Sequence, residues 1–139
     1  MASIIYDHYM SNVYAQAIKP AADTVYNLLV TSSYTPSKPN DQTQADVTNE
    51  VSGTGYTTGG QAVTQTVTLD TVNHREDVSF ANSSWTGATF STAAAVIVTH
   101  AGAPPSGNPL WAYVDFGGTV SVAGGTLTVS YTTPLRLQN

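Results

Sequence analysis

The chain has 139 residues, a net charge of −5 and 9% charged side chains, against about a quarter in an ordinary soluble domain. The four basic residues are scattered, so a face that neutralises phosphates is hard to assemble and no nucleic-acid partner is expected. The lack of cysteine excludes disulfides, thiolate zinc sites and a cysteine nucleophile.

The first 20 residues carry a helical pattern. Apolar and tyrosine side chains recur at steps of three and four, which predicts one amphipathic helix of about three to four turns, ended by Pro20. These positions are Tyr6, Tyr9, Met10, Val13, Tyr14 and Ala17. Such a helix either covers the core of its own domain or docks as an arm on a neighbouring subunit.

Residues 21–139 read as a single β domain. Residues 24–31 predict a central strand because both faces are apolar near its middle, and residues 32–41 predict a long surface loop containing Pro36 and Pro39. Residues 42–50 have room for a short helical turn. Glycines between residues 53 and 60 then predict a tight turn around Tyr56.

The second half of the chain predicts several more strands. Residues 62–69 alternate, with Val63, Gln65, Val67 and Leu69 on one face. Further strands are predicted at residues 75–80, 89–99, 110–116, 119–123 and 126–131, and a stiff proline-containing loop is predicted at residues 101–109. The predicted fold class is all-β, mainly antiparallel, as a β-sandwich or jelly-roll-like domain with a short N-terminal α-helix.

No residue pattern indicates chemistry. His8, His74 and His100 lie on three different predicted elements, so they form no local metal motif. The carboxylates between residues 41 and 50 do not match the ligand spacing of a calcium-binding loop, and no serine lies in a nucleophile elbow. We therefore predict no enzyme activity, no cofactor, and no catalytic, cofactor-binding or metal-binding residues.

Two other features have open interpretations. Trp85 and Trp111 are predicted core residues, although surface aromatics can instead form a platform for sugars. The main charge cluster, Asp70 with residues 75–77, is predicted to mark a turn and a strand edge, where charge discourages unwanted pairing.

The start of the chain lacks the pattern of a secretory leader. Residues 1–14 have no basic region followed by a continuous apolar run, and the longest apolar run, residues 93–98, is too short to cross a bilayer. We expect synthesis in a bacterial cytoplasm and no membrane partner.

Two sequence runs carry a family resemblance. Residues 23–36, ending in Thr-Ser-Ser-Tyr-Thr-Pro, and residues 49–60, Asn-Glu-Val-Ser-Gly-Thr-Gly-Tyr-Thr-Thr-Gly-Gly, resemble small virion proteins of tailed bacteriophages. The likeness continues through Asp77-Val78, Trp85, residues 94–98, Pro109-Leu110 and residues 114–117, and so covers nearly the whole chain. Residues 31–49 and 101–108 depart from the pattern, which puts any shared binding detail of these loops in doubt.

The resemblance implies a non-enzymatic virion structural protein. The most concrete expectation is a capsid decoration or cement protein that binds the major capsid protein on the outside of the head, stabilises the lattice and forms a homo-oligomer, expected to be a homotrimer. The alternative is a tail- or fibre-associated module that contacts host surface glycans. A surface poor in charge suits broad protein contacts, because burying unpaired charge is expensive.

The expected contact elements are the tyrosine-rich helix and the proline-containing loops. The candidate subunit and capsid contacts are Tyr6, Tyr9, Tyr14, Tyr34, Pro36, Pro39, Pro104 and Pro105.

Overall fold

The computed structural model describes residues 2–138, which form eight strands, one α-helix and two short 3-10 turns. The strands are β1 (Ile4–Ile5), β2 (Val25–Val30), β3 (Gln61–Val63), β4 (Gln65–Asp70), β5 (Arg75–Phe80), β6 (Ser83–Thr99), β7 (Leu110–Val129) and β8 (Leu135–Gln138). The helix, α1, spans Asp7–Tyr14, and the 3-10 turns lie at Gln44–Asp46 and Pro105–Gly107.

The strands form two antiparallel sheets. The larger sheet has the order β1-β7-β6-β2-β3, and the smaller has the order β4-β5-β8. One core cluster joins Ile97 and Trp111 of the larger sheet to Val78 and Phe80 of the smaller sheet, so the two sheets face each other. The all-β, mainly antiparallel prediction is confirmed.

The larger sheet is buried on both faces at its centre. β2 is paired on one side with β6 and on the other with β3, as the apolar run at residues 24–31 predicted. On the face away from the smaller sheet, Tyr6 and Tyr34 pack against Leu28, Val96 and Leu110. The N-terminal segment and the loop that follows β2 therefore provide a second covering layer.

Helix α1 is shorter than predicted. It has eight residues and ends at Tyr14, because Gln16 adopts a left-handed backbone conformation with φ of 60°. The break thus precedes Pro20. The helix packs on its own sheet, where the rings of Tyr9 and Trp111 are 5.4 Å apart.

The glycines of the last third of the chain bend a strand that the sequence analysis divided into three. Residues 110–129 form the single strand β7, paired along its length with β6. The register shifts between Thr92 and Ala94, where β7 carries extra residues that include Gly117 with φ of 80°. A left-handed glycine permits a bulge without ending the strand, which is why turn residues were misread as strand ends.

Two other predictions need correction. The alternating run at residues 62–69 is interrupted at Thr64, so that β3 joins the larger sheet and β4 the smaller one. Strand β8 was not predicted, because only four residues alternate there. The strand predicted at residues 75–80 is confirmed as β5.

Candidate interaction surfaces

Three of the predicted contact tyrosines belong to the core of this chain. Tyr6 and Tyr9 are each 1% exposed and Tyr34 is 4% exposed. The hydroxyls of Tyr6 and Tyr34 are hydrogen-bonded at 2.9 Å, and Tyr34 donates to Asp41 at 2.8 Å. In the folded chain these three side chains are covered by the chain itself, which corrects their assignment as contacts with other chains. Of the predicted helical face, Met10, Tyr14 and Ala17 are exposed.

The remaining predicted contacts are more accessible. Tyr14, at the end of α1, is 83% exposed; Pro39, Pro104 and Pro105 are exposed, and Pro36 is half-buried. The segment that follows the first proline-containing loop contacts the second loop: the side-chain amide of Asn108 donates to the Gln44 side chain at 2.7 Å, and a β-bridge joins Thr43 to Pro109. Tyr14 is on a different element.

Both tryptophans are core residues. Trp111 is fully buried, and its indole Nε1 donates to Thr99 Oγ1 at 2.9 Å. Trp85 is 5% exposed and lies beside the ring of Tyr56. Neither ring can form a surface platform for sugars while the chain is folded.

The histidines are separated in space as well as in sequence. His8 donates from Nε2 to the carbonyl of Pro39 at 3.1 Å, and the His100 ring stacks on Tyr26 with centroids 3.8 Å apart. Within residues 2–138, no three histidine or carboxylate side chains are close enough to hold a metal ion.

The clearest exposed feature is an apolar patch at one end of the sandwich. Five large apolar side chains in the described part of the chain are exposed, and four of them gather here from α1 and the β4–β5 hairpin. Met10, Tyr14 and Leu69 line the same groove, which has a volume of about 530 Å³, and Val72 lies in the adjoining turn. We call this concavity the end groove. The other side chains that line it are Asp70, Thr71, His74, Arg75, Glu76 and Leu137.

The end groove exists because the inward face of the smaller sheet extends beyond the layer that packs on it. Val78 is buried in the core of the sandwich. Glu76, two residues away on β5, is paired across the sheet with Leu69 on one side and Leu137 on the other. Residues two apart on a strand share a face. Leu69, Glu76 and Leu137 therefore lie on the same face of the smaller sheet as the buried Val78. Leu69 is nevertheless 69% exposed.

The charges of the same sheet are divided between its two faces. On the outward face, Nε of Arg75 lies 3.3 Å from a carboxylate oxygen of Asp70 and 3.3 Å from one of Asp77. Nε of Arg136 lies 3.1 Å from the other carboxylate oxygen of Asp77. This network explains the predicted charge cluster at the turn. Glu76 points to the opposite, apolar face.

A second groove, of about 570 Å³, lies beside β7. Strand β1 covers the outer edge of β7 only at Ala112 and Tyr113, and among the described residues no strand continues this pairing toward Val129. Ile4, Phe116 and Val120 are among the lining residues. Free backbone groups on such an edge can pair with an added strand.

Sequence reasoning did not select Met10, Leu69 or Val72 as contact residues. Two local signals were available: Val72, an apolar side chain in a predicted turn, and Glu76, a charged side chain on the inward face of a predicted strand. The alternation at residues 62–69 placed Leu69 on the inward face, but no local pattern tells where the opposite layer ends.

Within residues 2–138, no helix is both long and apolar enough to cross a membrane. Comparison of the chain with protein-family models, with curated proteins and with solved structures gives no match.

Proposed function

We propose that this protein is a non-enzymatic structural component of a bacteriophage particle, and most concretely a capsid decoration or cement protein that binds the head lattice. The observation that carries the proposal is the set of exposed apolar side chains at one end of the sandwich: Met10, Tyr14 and Leu69 line one groove, and Val72 lies in the adjoining turn. Contiguous exposed apolar side chains on a soluble domain typically mark a site of protein contact. The resemblance of residues 23–36 and 49–60 to tailed-phage virion proteins gives that contact its context.

The physical basis of cementing is burial of this patch against the major capsid protein. Each apolar side chain removed from water contributes about 1.5 to 3 kcal/mol when it is fully covered. The low charge of the chain limits the desolvation that opposes contact. Several copies joined as a homo-oligomer, for which we propose a trimer, would multiply these contributions by binding at several lattice points at once.

The glycan-binding alternative loses its main support. It was based on the two tryptophans, the eight tyrosines and the exposed loops, and both Trp85 and Trp111 are buried. We therefore propose only the decoration function.

The test uses phage heads assembled without this protein. Purified protein should bind them and raise the temperature at which they release DNA, measured with an intercalating dye. Leu69→Ser removes one apolar contact and should weaken binding about tenfold to a hundredfold. Val120→Ser is the matched control, because Val120 is exposed but lines the other groove. Heads that neither bind the wild-type protein nor gain heat resistance would refute the proposal.

A further inference from the structure

Glu76 is an unpartnered carboxylate in the end groove, whose lining also includes the ion pair of Asp70 with Arg75. It is half-buried, and within the described residues its side chain has neither an ion-pair partner nor a hydrogen-bond partner. The neighbouring acids differ, because Asp70 and Asp77 on the outward face are paired with arginines. A half-buried carboxylate that has no protein partner is available to a cation brought by another molecule.

A second polar group near Glu76 is also unsatisfied. The hydroxyl of Tyr9 is buried and has no hydrogen-bond partner among the residues that the structure describes. Burial, with a smaller contribution from the negative charge of Glu76, raises the pKa of Tyr9 to about 12. Glu76 lines the end groove, whereas the hydroxyl of Tyr9 is enclosed in the core and does not line the groove.

This combination specifies the chemistry of an occupant. A Lys or Arg side chain would neutralise Glu76, and its N–H groups would donate to the carboxylate oxygens of Glu76. The flanking surface from Tyr14, Leu69 and Leu137 requires apolar neighbours around that basic group. A second copy of the chain is poorly supplied with such a group, because three of its four basic side chains are already in ion pairs.

We propose that the end groove receives a segment of the capsid protein in which a Lys or Arg is flanked by apolar side chains, with Glu76 as the electrostatic anchor. This inference rests on the proposed decoration function. It adds that Glu76 determines specificity and that the partner surface presents a basic side chain among apolar ones. Burial of apolar side chains supplies the attraction. Burial of Glu76 against a partner surface without a cation would leave its charge unpaired, which disfavours such surfaces.

The test compares Glu76→Gln with Asp115→Asn for binding to heads assembled without the protein. Both substitutions remove one negative charge, but Asp115 lines the other groove. Glu76→Gln should weaken binding tenfold or more, by roughly the effect of truncating one partner of a buried pair, whereas Asp115→Asn should bind like the wild type. The urea midpoint of free Glu76→Gln should stay equal or rise, since the free protein loses no partner for Glu76.

The outcomes separate the two proposals. Failure of the wild-type protein to bind heads would remove the decoration function and this inference with it. Equal binding of the wild type and Glu76→Gln would overturn this inference alone. A change in self-association of Glu76→Gln, seen by sedimentation equilibrium with unchanged head binding, would assign the groove to a second copy and also overturn it.

Discussion

The burial of Tyr6, Tyr9 and Tyr34 predicts how the protein responds to alkali. Burial raises the pKa of Tyr9 to about 12 and the pKa values of Tyr6 and Tyr34 further above the ordinary value of 10.0. The folded chain therefore keeps these phenols protonated at a pH where the unfolded chain ionises them. Their contribution to stability is complete below pH 10 and is lost as the pH rises from 10 toward the folded-state pKa values.

The size of this effect follows from proton linkage. At pH 11 each phenol that is ionised only in the unfolded state lowers the free energy of unfolding by about 1.4 kcal/mol, which gives about 4 kcal/mol for the three. A domain of this size has a total stability of roughly 5 to 15 kcal/mol. We therefore expect cooperative unfolding between about pH 11 and pH 12.

The assay follows tyrosinate absorbance at 295 nm and far-ultraviolet circular dichroism in the same titration. Ionisation of the three buried phenols should coincide with the loss of β structure. Tyr14→Phe is the control: its side chain is 83% exposed in the wild type, and removing that hydroxyl should leave the unfolding transition in place. Full ionisation near pH 10 with an unchanged dichroism spectrum would refute the placement of these tyrosines in the core.

Two further predictions concern the backbone and the core. A Cβ at Gly60 would lie 2.0 Å from the carbonyl oxygen of Asn27, whereas one at Gly59 would meet nothing within 4 Å, and both residues have positive φ. Gly59→Ala should therefore lower the free energy of unfolding by about 1 kcal/mol and Gly60→Ala by about 3 kcal/mol or more in urea titrations; equal losses would contradict this. Thr99→Val should cost about 1 to 3 kcal/mol because it leaves the buried indole N–H of Trp111 without its acceptor, and an unchanged urea midpoint would contradict that role.

The elements that the sequence predicted well are those decided by local pattern. The central strand at residues 24–31 appeared because residues that are apolar on both faces need two covering layers, and the structure provides them. Strand β5 was bounded by polar turns and was predicted at its full length. By contrast, β7 was divided at Gly117, since a local rule cannot distinguish a left-handed glycine in a bulge from one in a turn.

The candidate surface was less predictable, and the reason lies in what periodicity measures. The spacing of Tyr6 and Tyr9 indicates side chains that must be covered, but it does not say whether the same chain or another one covers them. Here the chain covers them itself.

The same limit applies in reverse at the other end of the sandwich. Leu69 and Leu137 belong to an inward face by alternation, and they remain accessible because the opposite layer stops short of their row. Whether a layer stops short depends on the relative lengths and offset of two sheets, which are properties of tertiary structure. A charged residue on the inward face of a strand can nevertheless be recognised from the sequence. Glu76 lies between two leucines on the inward face, where a side chain that served only to close the core would be apolar.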